Sequence, residues 1–266
     1  MPKKIRKNLK KPKLAILREQ GVNGHVEMAA AFTQVGFSCV DVHMTDLISG
    51  HSKLNEFRGL VACGGFSYGD VLGAGQGWAS TILYNERLKK DFKEFFSRKD
   101  VFSLGICNGC QMFAHLQSLI PGSKGWPTFI RNTSEKFEAR VVQTRINETP
   151  SIFFKGMTGS VLPISVAHGE GRVSLLEKEA SLLIDRKLVP AIYSDDKGKG
   201  TKEYPFNPNG SSEAIAGVTN ESGTVTIMMP HPERSFLSIQ NSWRPSNWSQ
   251  YSPWIKFFLN ARDFIS

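Results

Sequence analysis

The spacing of hydrophobic residues in the first half of the chain alternates between two periods. Short continuous apolar runs predict four buried strands, over residues 14–18, 37–43, 60–63 and 101–106. Stretches with apolar residues three and four positions apart predict helices over 26–35 and 78–98, and another helix directly after residue 107. Strands that alternate with helices are typical of α/β folds, in which helices cover the faces of a sheet.

The pattern changes after Pro121, where strands follow one another directly. Residues 137–146 and 161–167 are predicted to be strands in hairpins, as are residues 214–219 and 224–229. Residues 195–201 and 207–212 are rich in glycine and polar side chains and are predicted to be loops. A last amphipathic stretch predicts a helix over 252–264. We therefore expect an open, mixed, largely parallel sheet that is flanked by helices.

The composition is that of a globular protein rather than of a membrane or secreted protein. Of the 266 residues, 40% are hydrophobic. No apolar run approaches the ~20 residues of a membrane span, and the basic N-terminus lacks the apolar segment of a secretory signal. The four cysteines, at positions 39, 63, 107 and 110, fit a reducing compartment better than a disulfide scaffold. These features predict a cytoplasmic protein without a membrane segment.

The net charge of +9 is concentrated at one end of the chain. Residues 1–13 contain seven lysines and arginines and no acid, and without these seven the remaining chain has a net charge of +2. We interpret residues 1–12 as a basic, disordered tail and residues 13–266 as one domain. A tail of this kind can bind nucleic acid or an acidic partner. No aromatic residue lies among its basic ones, so the sequence does not favour nucleic acid.

Cys107 lies between the predicted strand 101–106 and the helix that follows it. Gly105 and Gly109 flank it and remove side chains that would crowd a sharp turn. This is the pattern of a nucleophile elbow, with a thiol in place of the hydroxyl. The N-terminus of the helix favours the thiolate. The N–H of Asn108 is predicted to bind a developing oxyanion.

A candidate base follows the apolar run 225–229. His231 and Glu233 in Pro230-His231-Pro232-Glu233 are two positions apart, so in an extended segment their side chains point the same way. Glu233 could then orient one imidazole nitrogen of His231 while the other nitrogen faces Cys107. The three side chains would form a nucleophile, a base and an orienting carboxylate.

These residues resemble those of class I, or triad, glutamine amidotransferases. The likeness rests on Gly105-x-Cys107-x-Gly109-x-Gln111 together with Pro230-His231-Pro232-Glu233. It is closest to the glutaminase domain of the phosphoribosylformylglycinamidine synthase family and extends from about residue 13 to 262. Further similar segments are residues 17–23, 62–70, 168–171 and 207–211. The segment 241–254 resembles the long single-chain form of that family more than the short separate subunit, and in the long form this domain is C-terminal.

The resemblance implies a flavodoxin-like α/β fold and an activity. In this family, glutamine is hydrolysed through a cysteine thioester, and the ammonia serves the ATP-dependent conversion of formylglycinamide ribonucleotide to formylglycinamidine ribonucleotide in purine biosynthesis. Carried over residue by residue, Gly65, or Phe66 as the alternative, would supply the second oxyanion N–H, and Phe66, Gln111 and His168 would contact glutamine. This chain would hold no metal and no cofactor, because ATP and Mg²⁺ bind on the synthetase partner.

Two other functional classes remain open at this point. Cys107-Asn108-Gly109-Cys110 has the C-x-x-C spacing of thiol–disulfide oxidoreductases, although we expect Cys110 to pack against the sheet. A protein of the same fold could also act without catalysis, as a partner or sensor. The aromatic residues of the C-terminal stretch could anchor a partner or pack on their own domain; they are Trp243, Trp248, Tyr251 and Trp254.

Overall fold

A mixed sheet with helices on its faces forms the centre of the protein in the computed structural model, which describes residues 11–266. The strands are β1 (Lys13–Arg18), β2 (Ser38–His43), β3 (Gly59–Ala62), β4 (Phe102–Ile106), β5 (Thr128–Ile130), β6 (Glu138–Ile146), β7 (Val161–His168), β8 (Arg172–Ser174), β9 (Ala191–Ser194), β10 (Ile215–Thr219) and β11 (Val225–Met228). The helices are α1 (His25–Gln34), α2 (Met44–Ser49), α3 (Gln76–Leu83), α4 (Glu86–Ser97), α5 (Asn108–His115), α6 (Glu177–Asp185) and α7 (Ile255–Phe264). The predicted tail, apart from residues 11 and 12, lies outside the described residues.

The nine strands of the main sheet divide into a parallel half and an antiparallel half. Their order is β2-β1-β3-β4-β11-β10-β9-β6-β7. All pairs from β2 to β11 are parallel, and all pairs from β11 to β7 are antiparallel. The strands β5 and β8 form a small separate sheet. The predicted mixed α/β architecture with flanking helices is therefore confirmed.

Burial explains why continuous apolar runs in the sequence predict the strands of the parallel half. Both faces of its inner strands are covered, and β3 and β4 are buried at every residue, whereas the edge strand β2 is partly exposed. Helix α4 shows the complementary pattern, because only one stripe of it is buried. That stripe consists of Leu88, Phe92, Phe95 and Phe96.

The single helix predicted over 78–98 is wrong, because two helices, α3 and α4, occupy this region. Asn85 separates them with an extended backbone, and its side-chain oxygen accepts a hydrogen bond of 3.1 Å from the N–H of Leu88. Asparagine is among the strongest N-cap residues, so α4 begins here. The spacing of apolar residues continues from α3 into α4 and therefore does not reveal this boundary.

The sheet order brings the C-terminal ends of three parallel strands to one edge. In the register, Ala62 of β3 pairs with Gly105 of β4, and Ile106 pairs with Met228 of β11. The segments after these strands therefore start side by side. Strand β7 reaches the same place from the antiparallel half, since Ser165 forms an isolated bridge with His231.

The C-terminal aromatic residues do not form one surface. Trp254 is fully buried and donates from Nε1 to the carbonyl of Pro163 at 2.8 Å, so it packs within the domain. Tyr251 stacks on Phe236 and is partly buried. Trp243 is 79% exposed. Within residues 11–266, no helix is both long enough and apolar enough to cross a bilayer.

Candidate active site

Cys107 occupies the turn between β4 and α5 with an unusual backbone. Its φ is +53° and its ψ is −110°, a region that residues other than glycine rarely adopt. The backbone N–H donates to the carbonyl of Met228 at 3.0 Å, which holds the turn against β11. Gly109 makes the tight turn possible, since a Cβ there would lie 2.1 Å from the carbonyl oxygen of Ala62. The backbone thus presents the Cys107 side chain at the strand edge.

His231 and Glu233 are buried together just beyond β11. The N–H of His231 donates to the carbonyl of Ser165 at 2.8 Å, and the two side chains are 1% and 0% exposed. Nδ1 of His231 lies 2.6 Å from Oε1 of Glu233. The contact between residues two apart that the sequence predicts is therefore present. It leaves Nε2 of His231 without a hydrogen-bond partner among the described residues.

The side chains of Cys107 and His231 both lie close to Gly64. A Cβ placed on Gly64 would lie 2.9 Å from Cε1 of His231 and 3.2 Å from Cβ of Cys107. The Sγ of Cys107 is 3.5 Å from the carbonyl oxygen of Ala167, a weak contact for a thiol. The ring of His231 and the Cys107 thiol are therefore neighbours in a buried site.

The pKa of His231 is raised although the ring is buried. Burial alone would lower this pKa, but the charges of Glu233 and Cys107 outweigh it and raise the pKa to about 9. The raised pKa favours the imidazolium form of His231, which lies between two groups that can carry negative charge. Such an ion pair is a form in which a cysteine reacts as a nucleophile.

Two backbone N–H groups near Cys107 donate no hydrogen bond within residues 11–266. One belongs to Asn108, the first residue of α5, and the other to Gly65, in the turn after β3. The side chain of Asn108 is fully buried and holds that turn, because its Oδ1 accepts from the N–H of Ser67 at 3.2 Å. The geometry fits the predicted oxyanion donors, whose role stays a prediction.

A cavity of about 220 Å³ opens beside Cys107 and His231. All three predicted glutamine-contacting residues, Phe66, Gln111 and His168, line it. Both ends of the Gln111 amide already have partners in the protein: Nε2 donates to the carbonyl of Glu170 at 2.6 Å, and Oε1 accepts from the side chain of Asn108 at 3.2 Å. Gln111 therefore braces the cavity wall as well as lining it.

His168 is buried and neutral, and its tautomer follows from its neighbours. Asn209 accepts at Oδ1 from the N–H of Ser211 at 3.1 Å, so its Nδ2 is the donor group. That Nδ2 lies 2.9 Å from Nε2 of His168, which must accept and leave the proton on Nδ1. Burial and the nearby His231 lower the His168 pKa to about 3. Nδ1–H has no partner among the described residues.

Three charged residues of the cavity wall were missed from the sequence. They are Asp70, Glu170 and Arg234. Burial, with a smaller effect of Glu170, raises the pKa of Asp70, although its carboxylate accepts from Nδ2 of Asn108 at 3.0 Å. Their position is the only signal in the sequence: Asp70 and Glu170 lie within the similar segments at 62–70 and 168–171, and Arg234 directly follows the motif at 230–233.

Cys110 does not share the environment of Cys107. It is fully buried, and burial raises its pKa well above the usual value, which disfavours the reactive thiolate. All four cysteines are free thiols. Among residues 11–266, no group of three or more His, Cys, Asp or Glu side chains is arranged to hold a metal ion.

Comparisons with known proteins agree with this arrangement. Residues 11–265 match the family described as the CobB/CobQ-like glutamine amidotransferase domain. The structure of PurLQS from Thermotoga maritima is similar, at 25% identity and a TM-score of 0.73, over 97% of this chain and 100% of that one. A Thermoplasma acidophilum protein described as part of a GMP synthase shares the fold, at 14% identity and a TM-score of 0.55, over 97% of this chain and 96% of that one.

Proposed function

This chain belongs to the family of CobB/CobQ-like glutamine amidotransferases, and we propose that it hydrolyses L-glutamine to L-glutamate and ammonia through a thioester on Cys107. The observation that carries the proposal is that Cys107, His231 and Glu233 lie next to one another in a buried site. Each member occupies the position that its chemistry requires: a nucleophile on a sharp turn, a base with one free nitrogen, and a carboxylate on the other nitrogen.

The reaction begins with the Cys107 thiolate beside the His231 imidazolium. Glu233 holds Nδ1 of the ring at 2.6 Å and thereby directs Nε2 toward the thiol. The N-terminus of α5 adds a favourable potential for negative charge on sulfur. The sulfur attacks the side-chain carbonyl carbon of glutamine, a C–S bond forms, and the carbonyl electrons move to oxygen.

The resulting oxyanion needs donors that are already in place. The N–H groups of Gly65 and Asn108 would supply them, since both are without partners among the described residues. Each preorganised donor of this kind lowers the barrier by about 2.7–4 kcal/mol. The strained backbone of Cys107 (φ +53°) places sulfur and the Asn108 N–H at the same turn.

Collapse of the tetrahedral intermediate breaks the C–N bond. His231 transfers its Nε2 proton to the leaving nitrogen, so that ammonia departs and a γ-glutamyl thioester remains on Cys107. The neutral ring then takes a proton from water, hydroxide adds to the thioester carbonyl, and the C–S bond breaks. Glutamate leaves, and the thiolate–imidazolium pair is restored.

The charged cavity wall suits an amino acid substrate. Asp70 and Glu170 provide negative charge for an α-ammonium group, and Arg234 provides a guanidinium for an α-carboxylate. The Nδ1–H of His168 is a neutral donor with a fixed orientation. Phe66 contributes an apolar surface at the rim, where it is 47% exposed. Together these groups match the zwitterionic end and the short apolar stem of glutamine.

The ammonia would be used by a synthetase partner. We propose that this partner binds ATP and Mg²⁺ and converts formylglycinamide ribonucleotide to formylglycinamidine ribonucleotide, as the glutaminase part of phosphoribosylformylglycinamidine synthase requires. The similarity to PurLQS over 97% of this chain and 100% of that one supports a role within an assembly of this kind. Exposed apolar side chains at and near the cavity mouth provide a surface for such a partner; they are Phe66, Tyr68, Val71, Leu72 and Phe137.

The proposal is tested by acid quenching of the protein during incubation with carbon-labelled L-glutamine. Label should be recovered as a base-labile adduct on the peptide that contains Cys107, and free glutamate and ammonia should appear in equal amounts. Label on Cys110 instead, or none on a folded chain in the presence of the synthetase and its substrates, would refute the mechanism.

A second assay tests the coupling. With the synthetase, ATP and formylglycinamide ribonucleotide present, one glutamine should be consumed for each amidated product. If added glutamine supports no more amidation than free ammonium does, the chain is an independent glutaminase and the purine role is wrong.

A further inference from the structure

The segment after β1 has no assigned role, yet it holds the turn that contains Gly65. Asn23 and Gly24 donate their N–H groups to the carbonyl of Gly64 at 3.1 and 3.0 Å. On the other side, the N–H of Phe66 donates to the carbonyl of Gly21 at 2.9 Å. The two segments therefore hold each other through backbone contacts, and Gly65 lies between these contacts.

The approach of the two backbones leaves no room for a side chain at Gly65. A Cβ there would lie 2.5 Å from Cα of Val22, and the φ of Gly65 is +149°. The direction of the Gly65 N–H is thus determined by how closely the two segments pack. Anything that fixes their separation also fixes one of the proposed oxyanion donors.

The turn continues into backbone that is unfavourable by itself. Tyr68 has a φ of +53° and Asp70 a φ of +54°, both in the left-handed region that side chains disfavour. Such conformations persist only where surrounding contacts impose them. The N–H of Tyr68 donates to the carbonyl of Gln20 at 3.0 Å, which is one of those contacts.

The second contact is a buried carboxylate. Glu19 is 5% exposed, and its Oε2 accepts from the hydroxyl of Tyr68 at 2.7 Å. Its Oε1 accepts from the N–H of Gln20 at 2.8 Å and lies 3.5 Å from Nε2 of His43. The His43 ring presents a proton there, because its Nδ1 accepts from the N–H of Thr45 at 3.2 Å. Every oxygen of this carboxylate has a partner.

Glu19 is not among the residues that line the cavity, and it contacts the Gly65 turn only through Tyr68 and Gln20. We infer that Glu19 is a positioning residue, which fixes the Gly65 turn through the Tyr68 hydroxyl and so holds the oxyanion N–H in place. This inference rests on the proposed glutaminase function. A charged acceptor is suited to this task, because hydrogen bonds to carboxylates are stronger than those to neutral groups.

Two variants test it in the full chain. Tyr68→Phe removes the hydroxyl and keeps the ring. Glu19→Gln leaves one oxygen for three donors, which are the Tyr68 hydroxyl, the Gln20 N–H and the His43 ring. Since a small misplacement of a catalytic donor is costly, we expect each to lower kcat for thioester formation by between about tenfold and about 100-fold. KM for glutamine should change less than about threefold, because an oxyanion donor acts mainly in the transition state. In the double variant, kcat should be at most about twofold lower than in the less active of the two single variants. Both substitutions remove the same contact, so their effects should not add.

Alkylation of Cys107 by iodoacetamide separates positioning from general damage. Alkylation of the thiolate forms no oxyanion, so its rate at Cys107, measured by peptide mass spectrometry, should stay within about twofold of the parent. The matched controls are Tyr84→Phe and Glu86→Gln, which change an 87% exposed residue and an 89% exposed side chain. Both controls should leave thioester formation and alkylation unchanged.

The outcomes are distinguishable. If the parent forms no thioester on Cys107 even with the synthetase and its substrates, the proposed function fails, and this inference fails with it. If the parent forms a thioester, and Tyr68→Phe and Glu19→Gln keep its kcat, only the positioning role is overturned. An equal loss of thioester formation and of alkylation would also overturn it, because the variants would then disturb Cys107 itself.

Discussion

His231 and His168 lie on two walls of the same cavity. His231 follows the parallel strand β11, and His168 ends the antiparallel strand β7. Both rings are buried, at 1% and 3% exposure. Yet the pKa of His231 is raised to about 9 and that of His168 is lowered to about 3. Burial alone would lower both pKa values, so the partner of each ring makes the difference.

The partners differ in charge and in hydrogen-bonding direction. His231 faces the carboxylate of Glu233 at 2.6 Å, which stabilises an imidazolium. His168 faces the amide Nδ2 of Asn209 at 2.9 Å. This group donates a hydrogen bond that Nε2 of a protonated ring could not accept. One wall is thus built to move protons and the other to recognise a substrate without changing charge. Four experiments can test this division.

The largest loss of activity is expected when the sulfur of Cys107, which faces His231, is removed. Cys107→Ala should lower glutamine turnover by about 10⁵-fold or more, because no other group can form the thioester. Cys110→Ser is the matched control, since that thiol is three residues away and fully buried. It should keep most of the turnover in the folded fraction. Equal losses in two folded variants would favour a C-x-x-C redox function instead.

On the His231 wall, the base should matter more than its orienting carboxylate. His231→Ala should lower kcat by about 10⁴-fold, and Glu233→Gln by about 100-fold, because the helix N-terminus still favours the thiolate. Steady-state kinetics of the folded variants provide the measurement, with the exposed Glu86→Gln as control. A Glu233→Gln enzyme less active than His231→Ala would contradict these roles.

On the His168 wall, we expect a change in affinity. His168→Leu removes the Nδ1–H donor and should raise KM for glutamine about tenfold, the usual magnitude for one hydrogen bond. His168→Asn returns an N–H near the same place and should recover part of that loss. A tenfold fall in kcat with KM unchanged would show that His168 takes part in proton transfer, and the contrast between the two walls would be lost.

The smallest expected effect is a shift of the pH profile, which should show that His231 and not His168 causes its alkaline limb. The raised pKa keeps His231 protonated through neutral pH, so the imidazolium and kcat/KM should decline as pH rises through about 9. Glu233→Gln removes a charge that raises this pKa, and the alkaline limb should move down by at least about one pH unit. The limb should stay in place in His168→Asn, because His168 with a pKa of about 3 is neutral throughout that range.

The sequence predicted the His231 wall better than the His168 wall, for physical reasons. Parallel strands covered on both faces appear as continuous apolar runs, and their C-terminal ends share one edge. The sequence alone therefore predicts that Cys107, His231 and Glu233 lie close together. The antiparallel half offers weaker signals: β9 (Ala191–Ser194) has four residues and follows a proline, and it was not predicted.

The remaining misses are contacts between distant segments. Glu170 accepts from the N–H of Ala74, 96 positions away, and Tyr68 reaches Glu19, 49 positions away. No periodicity encodes such pairs, and the charge of Arg234 beside the triad motif looks like any solvated charge. The helix boundary at Asn85 was encoded by an N-cap residue, but the apolar stripe continued across it and concealed the signal.

The pairing of β4 with β11 also determines when the site can exist during synthesis. Cys107 is translated 124 positions before His231, an interval of about 6 to 25 s at the usual rates of elongation. Until β11 emerges and docks beside β4, the thiol has neither its imidazole nor the strand that receives its N–H. The nascent chain therefore carries an ordinary cysteine, and the reactive one appears only after the last strand has been added to the sheet.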